Sequence, residues 1–207
     1  MFEFLSISLV ILLAVISPGP DFVIVSRNAL SYSQNIGIMT AFGIAIGTLF
    51  HSTYCILGFA LIISQSILLF NVIKGIGAAY LIYLGIKGLR NKSTALPIQN
   101  QENEKQVLSL GKAFLHGLIC NLFNPKTVCF FLALFTVMIK PSTTLLTQAG
   151  YAIEIAVMHL LWFSLVAVLF AHQKVKLFLG QFQYYMTKAF GGILVLFGIK
   201  IATLIER

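Results

Sequence analysis

Six long apolar stretches dominate the chain, running roughly over Phe4–Ala29, Ile36–Ile63, Ile67–Leu89, Gly111–Ile139, Leu145–Ala171 and Tyr185–Ile205. Short polar breaks such as Ser31–Asn35 and Lys140–Thr144 part most of them. A helix needs ~20 apolar residues to cross the hydrocarbon core of a bilayer. The pattern therefore predicts an all-α polytopic membrane protein of about six transmembrane helices. The one long hydrophilic piece, 91–110, carries Glu102, Glu104 and Lys105 and is too short and polar to bury a core, so it reads as a linker. The expected organisation is a single transmembrane domain over 1–207, with a first repeat at about 1–90, the linker at about 91–110 and a second repeat at about 111–207. Met1 to Ile16 is apolar enough for a signal peptide, but it has Glu3, no Lys or Arg and no A-x-A-like site, so it is expected to be a retained first helix.

Composition narrows the choice. Apolar residues make up 58% of the chain and charged residues 10%, against roughly 45–50% and about 25% in ordinary soluble domains. So few charges could not cover the surface of a water-soluble fold. The net charge of +8 would suit nucleic acid, but the basic residues lie between apolar runs, where orientation signals belong. The odd loops hold Arg27, then Lys87, Arg90, Lys92, Lys105 and Lys112, then Lys174, Lys176 and Lys188; Lys140 and Arg207 fall in an even loop and a terminus, with Lys200 near the last helix end. This asymmetry predicts cytoplasmic odd loops, both termini outside, and no nucleic-acid partner. No GxxxxGK[ST] occurs, so transport by this chain would draw on an ion gradient or a separate subunit. Cys55, Cys120 and Cys129 lie inside apolar runs without a CxxC and read as small core residues.

The halves on either side of the linker resemble each other. Ser17-Pro18-Gly19-Pro20 interrupts the first apolar stretch and Asn124-Pro125 the fourth; the second and fifth carry His51 and His159; Gly85-Ile86-Lys87 and Gly198-Ile199-Lys200 mark the third and sixth. With an odd number of helices per half, the second half would enter the membrane from the opposite side. The expected fold is thus two inverted three-helix repeats with broken first and fourth helices, an arrangement used by many secondary transporters.

The two breaks carry the candidate chemistry. Pro18 and Pro20 cannot donate to the carbonyls of Ala14 and Ile16, nor Pro125 to that of Asn121. Broken backbone at membrane depth is tolerated only where protein or a watery cavity covers it. About a dozen residues precede each break, roughly 18–20 Å of helix at ~1.5 Å per residue. After each break the helix can restart with proline near its first position, with Asn124 as N-cap and Asp21 in the first turn. Two half-helix N-termini would then face one cavity, their N–H groups suited to a carboxylate and the freed carbonyls to an ammonium or small cation. A zwitterionic amino acid offers both. Against this stands the plainer reading that proline kinks only shape packing.

Asp21 and Lys126 each follow a break proline, and intramembrane charges pair or mark pathways. They could neutralise each other as a fixed ion pair; alternatively Glu154 could partner Lys126 or carry a coupling proton. Asp21 and Glu154 are the only acids inside the predicted spans. His51 and His159 could relay protons, though a lone intramembrane histidine more often makes an interhelical hydrogen bond. Gly43 and Gly47, with Ala41 and Ala45, form a GxxxG face for close packing, inside the subunit or in a dimer.

In the segments ISPGPDFVIVSRNAL, GIAIGTLFH, IGAAYLIYLGIKGLR, FLHGLICNLFNPKTVCFFLALF and FGGILVLFGIK, nearly the whole chain resembles the LysE/RhtB family of bacterial amino-acid exporters. The SPGP and NPK stretches are the most specific. The resemblance implies a non-enzymatic exporter in the bacterial inner membrane, driven by the proton motive force and without a cofactor. It would carry amino acids such as threonine, homoserine, leucine or lysine, as a homodimer. Residue by residue it implies a site of Ser17, Pro18, Gly19, Pro20 and Asp21 with Asn121, Asn124, Pro125 and Lys126. Two other readings compete. Heavy-metal export would want clustered thiolate, imidazole or several oxygens, and the His and Cys residues are scattered. Thiol redox chemistry would want adjacent cysteines, whereas Cys120 and Cys129 lie about 13 Å apart along a helix at ~1.5 Å per residue.

Overall fold

The computed structural model describes residues 2–90, 108–138, 143–171 and 176–203, and they are helical throughout, without a strand. The elements are α1 (Phe2–Ile16), α2 (Pro20–Ser31), α3 (Gln34–Gln65), α4 (Ile67–Arg90), α5 (Leu110–Leu122), α6 (Pro125–Met138), α7 (Leu145–Phe170) and α8 (Lys176–Thr203). Each predicted apolar stretch is present, and the two with internal proline are each split in two. Helix α8 starts well ahead of the predicted Tyr185, because its first turns contain no proline to stop them. Most of the predicted linker, 91–107, lies outside the described residues, as do Lys140, Lys174 and Arg207.

Helices α3 and α7 are each long and apolar enough to cross a membrane. The pairs α1–α2 and α5–α6 reach the same standard when each is taken as one bent span, with bends of 51° and 57°. The outer surface is what lipid requires: Leu68, Phe123, Leu146 and Leu196 are 70–84% exposed, a burden of apolar surface that water would not tolerate.

Close helix contacts are made through glycine. A Cβ on Gly43 would collide with the Phe114 carbonyl and come within 2.8 Å of the Leu118 nitrogen; one on Gly117 would collide with the Thr40 carbonyl. The GxxxG face therefore packs α3 against α5 within the subunit, with the two helices running in the same direction. Helices α4 and α8 meet in the opposite sense, Gly85 against Gly191 and Gly198 against Ala78 and Ile82.

The core has two parts. One gathers Ile11 and Val15 of α1, Leu81 of α4, Phe130, Phe131 and Phe135 of α6, and Ile155 of α7. The other gathers Phe22 and Val25 of α2, Ile44 of α3, and Phe163 and Phe170 of α7, with Phe22 edge-on to Phe170 at 5.4 Å. Asn28 donates to the Thr40 hydroxyl at 2.9 Å, and Thr40 donates to the Ile36 carbonyl at 2.8 Å, tying α2 to α3 with buried polar groups satisfied. The first helix break lies between the two parts of the core, with α1 packed in one and α2 in the other.

Candidate functional site

At the first break the α1 ladder ends with the Ser17 N–H donating to the Leu13 carbonyl at 3.1 Å. Pro18 and Pro20 contribute no donor. Gly19 is the N-cap of α2, with φ −162° and ψ −169° and no side chain to cap with, and Pro20 opens the helix. That backbone is extended and open to any residue. A Cβ at Gly19 would crowd Lys126, whose Cδ and Nζ would lie 3.1 and 3.3 Å from it.

At the second break Asn124 caps α6 as expected, its Oδ1 accepting from the Lys126 N–H at 3.0 Å. The Asn121 carbonyl, which Pro125 cannot serve, is occupied by other donors. The Asn124 N–H reaches it at 3.1 Å, and so does His51 Nε2, also at 3.1 Å. Since a carbonyl only accepts, Nε2 carries the proton. His51 Nδ1 then accepts from the Tyr54 hydroxyl at 2.7 Å, and the ring stacks on Phe131 with centroids 5.2 Å apart. Both nitrogens are used, and the bond spans α3 to α5. We expect His51→Leu to lower thermal stability by about 1–3 kcal/mol, the cost of stranding buried polar groups, while protein that still folds keeps its transport. A thermal melt paired with an efflux assay checks this; a stable variant with no transport would argue for proton relay instead.

Asp21 and Lys126 do not pair with each other. Asp21 is buried, and its Oδ2 accepts from Asn121 Nδ2 at 2.9 Å and from the Thr127 hydroxyl at 3.4 Å. Lys126 reaches across the break and donates from Nζ to the Ser17 carbonyl at 2.6 Å. Asp21 Oδ1 and Asn121 Oδ1 are buried with no hydrogen-bond partner. Gly47 makes room for Asn121, whose Oδ1 would lie 2.5 Å from a Cβ there.

These groups border a small cavity of about 30 Å³, lined among others by Ser17, Gly19, Asp21, Asn124, Lys126, Thr127 and His159, with Phe22, Phe130 and Phe163 as apolar walls. Its volume holds one or two waters. His159 Nδ1 donates to the Ile155 carbonyl of its own helix at 2.8 Å, which leaves the lone pair on Nε2. Beyond Lys126 lies an open vestibule of about 1130 Å³. Ser17, Gly19, Asn124 and Lys126 border both spaces, and the vestibule adds Pro18, Pro20, Pro125, Tyr80, Tyr83, Lys87 and Arg90.

Of the residues singled out in the sequence, the two break motifs thus converge on one place, with Asn121 joined to it through Asp21. His51 stands behind Asn121. Glu154 borders neither space; it is half-buried, with Oε2 lacking a hydrogen-bond partner. Sequence reasoning missed Thr127, although a hydroxyl in the first turn after Asn124-Pro125-Lys126 was a readable signal. It also missed Tyr54 and the vestibule tyrosines, for which the sequence held none. Among the described residues no three His, Cys, Asp or Glu side chains come together as a metal-binding group.

The family model of the LysE type translocators matches residues 12–204, a span that contains both breaks and every cavity residue named above. The chain belongs to the LysE family. Members of the LysE family are translocators rather than enzymes, and this one is a membrane protein. Among its relatives is the uncharacterized membrane protein YrhP of Bacillus subtilis, 34% identical over 192 residues, which cover 90% of this chain and 91% of YrhP. The threonine efflux protein of Escherichia coli K12 is 33% identical over 168 residues, covering 81% and 82%. That of Salmonella typhimurium is 31% identical over 176 residues, covering 85% of each. No solved structure matches.

Proposed function

We propose that this LysE-family chain is a secondary active exporter of small amino acids across the bacterial cytoplasmic membrane, driven by the proton motive force. The observation that carries the reading is the convergence of two helix breaks on one small cavity that holds polar groups at the head of a vestibule. The uncapped N-terminus of α2 offers N–H groups to a carboxylate. The Ser17 carbonyl and the unpartnered Asp21 Oδ1 offer acceptors to an ammonium. Ser17, Pro18, Gly19, Pro20 and Asp21 then form one wall of the substrate site, and Asn121, Asn124, Pro125 and Lys126 the other. The family match and the threonine efflux relatives support an amino acid as cargo.

The same proposal takes α1–α2, α3, α4, α5–α6, α7 and α8 as six spans in two inverted repeats within one domain. Alternating spans require α3 and α5 to run alike and α4 and α8 to oppose, as their glycine contacts do. With odd loops in the cytoplasm and both termini outside, Lys87 and Arg90 mark the cytoplasmic mouth, and the vestibule is an inward-facing entrance. Heavy-metal export remains the alternative.

The test is efflux of labelled threonine, homoserine, leucine and lysine from preloaded cells expressing the chain, with and without a protonophore, alongside cadmium accumulation. Protonophore-sensitive efflux of an amino acid is the expected result. Unchanged amino-acid efflux with altered cadmium accumulation would replace this reading with the metal one.

A further inference from the structure

Lys126 occupies the place that the proposed site offers to a substrate ammonium. Its Nζ is bonded to the Ser17 carbonyl at 2.6 Å, its stem lies on Gly19, where a Cβ would crowd it, and it lines both the small cavity and the vestibule. We propose that Lys126 is a tethered competitor of the substrate, the group that exchanges one proton for each amino acid moved. This rests on the export reading and names the coupling group within it.

The geometry carries the argument. The space behind Lys126 holds one or two waters at about 30 Å³, so no amino acid enters while the lysine lies across the break. Two ammonium groups sharing the Ser17 carbonyl would lie close enough to repel each other. The other charged and titratable groups around Lys126 do not relieve this. Among the described residues Asp21 of α2 is the one acid on the cavity; its Oδ2 accepts from Asn121 and Thr127, and its single charge can balance one ammonium but not two. Lys87 and Arg90 at the end of α4 line the vestibule and add positive charge. Lys188 of α8 donates to the Leu89 carbonyl. His159 of α7 and His51 of α3 hold backbone carbonyls, and the Cys120 thiol of α5 lies near Asp21.

The exchange balances simply. From the cytoplasmic side the substrate ammonium takes the Ser17 carbonyl, and the Lys126 ammonium gives up one proton to the vestibule and swings away as a neutral amine. After the substrate leaves on the far side, Lys126 takes one proton there and returns to Ser17. A zwitterion moves out and one proton moves in. Protons and substrate therefore compete, and a first occupant that must be displaced lowers apparent affinity in proportion to its occupancy.

The full chain, reconstituted in liposomes with an entrapped pH dye, tests this with labelled L-threonine counterflow at acid and alkaline pH. For the unaltered chain the half-saturating threonine concentration is expected to rise several-fold on acidification, with proton movement accompanying a threonine gradient. Lys126→Ala is expected to lower half-saturation several-fold, to flatten its pH dependence and to lose threonine-driven proton movement. Lys126→Arg, a cation that does not release its proton, is expected to keep half-saturation high at both pH values and also to lose proton movement, which stands as a test should the alanine variant misfold. Threonine-driven proton movement in Lys126→Ala overturns the proposal. So does a higher half-saturation in that variant, which would make Lys126 a ligand of the substrate carboxylate. No counterflow of threonine, nor of homoserine, leucine or lysine run in the same liposomes, by the unaltered chain overturns the export reading, and this proposal with it.

Discussion

Asp21→Asn is expected to cut efflux by about ten- to a hundredfold while leaving the protein folded. The exchange keeps the size of the side chain, and the amide oxygen can still accept from Asn121 and Thr127, the two donors that hold the carboxylate now. What disappears is the negative charge and the acceptor at Oδ1, which is buried and partnerless. Hydrogen bonds to a charged group contribute about 1.5–3 kcal/mol, and each 1.4 kcal/mol is about tenfold in an equilibrium. The loss should exceed that of any other isosteric change at the site, because Asp21 is the one acid bordering the cavity among the described residues. Efflux per amount of monodisperse protein, read by fluorescence-detected gel filtration, is the measurement. Efflux equal to the unaltered chain would remove Asp21 from the site. An aggregated variant would make it a structural residue.

Gly43→Val should remove the protein from the membrane almost entirely. Here the obstacle is backbone: the new Cβ meets the Phe114 carbonyl and the Leu118 nitrogen, neither of which can rotate aside. Helices α3 and α5 would have to part, and the His51–Asn121 bond and the Gly47–Asn121 contact would go with them. Overpacking costs about 1–3 kcal/mol even where side chains can adjust, and whole domains are stable by only about 5–15 kcal/mol. Gly58→Ala is the control in the same helix, since a Cβ there meets nothing within 4 Å and alanine favours a helix by roughly 0.5–1 kcal/mol. Quantitative immunoblotting of membranes decides it. Equal levels of the two variants would mean that the α3–α5 contact carries no stability.

Much of this architecture was legible because membrane spans and proline breaks are written in local composition. The run Ile36–Ile63 predicted α3, and Ser17-Pro18-Gly19-Pro20 and Asn124-Pro125 predicted the two bends, since missing N–H groups act on their own neighbours. The Asn124 cap was readable for the same reason. Partners across the fold were not. The sequence frees the Asn121 carbonyl, but only packing reveals that His51 reaches it. Lys126 and Asp21 follow matching prolines and look like an ion pair, yet the bend turns Lys126 toward Ser17 and Asp21 toward Asn121. The GxxxG face of Gly43 and Gly47 leaves its partner open in the sequence, and the fold sets it against Phe114, Leu118 and Asn121 of α5.

That glycine contact also decides what can move. Helices α3 and α5 touch backbone to backbone and are stapled by His51, so sliding one past the other would break contacts that no rotamer change restores. Any rocking motion must carry them as one rigid body. If the chain exports as proposed, the compliance for turning the site from one side of the membrane to the other would reside at residues 17–19 and 123–124, where the helical ladder is already interrupted. In the proposed exporter these short joints would act as hinges as well as binding elements, so stiffening either should slow turnover even where the cavity is left intact.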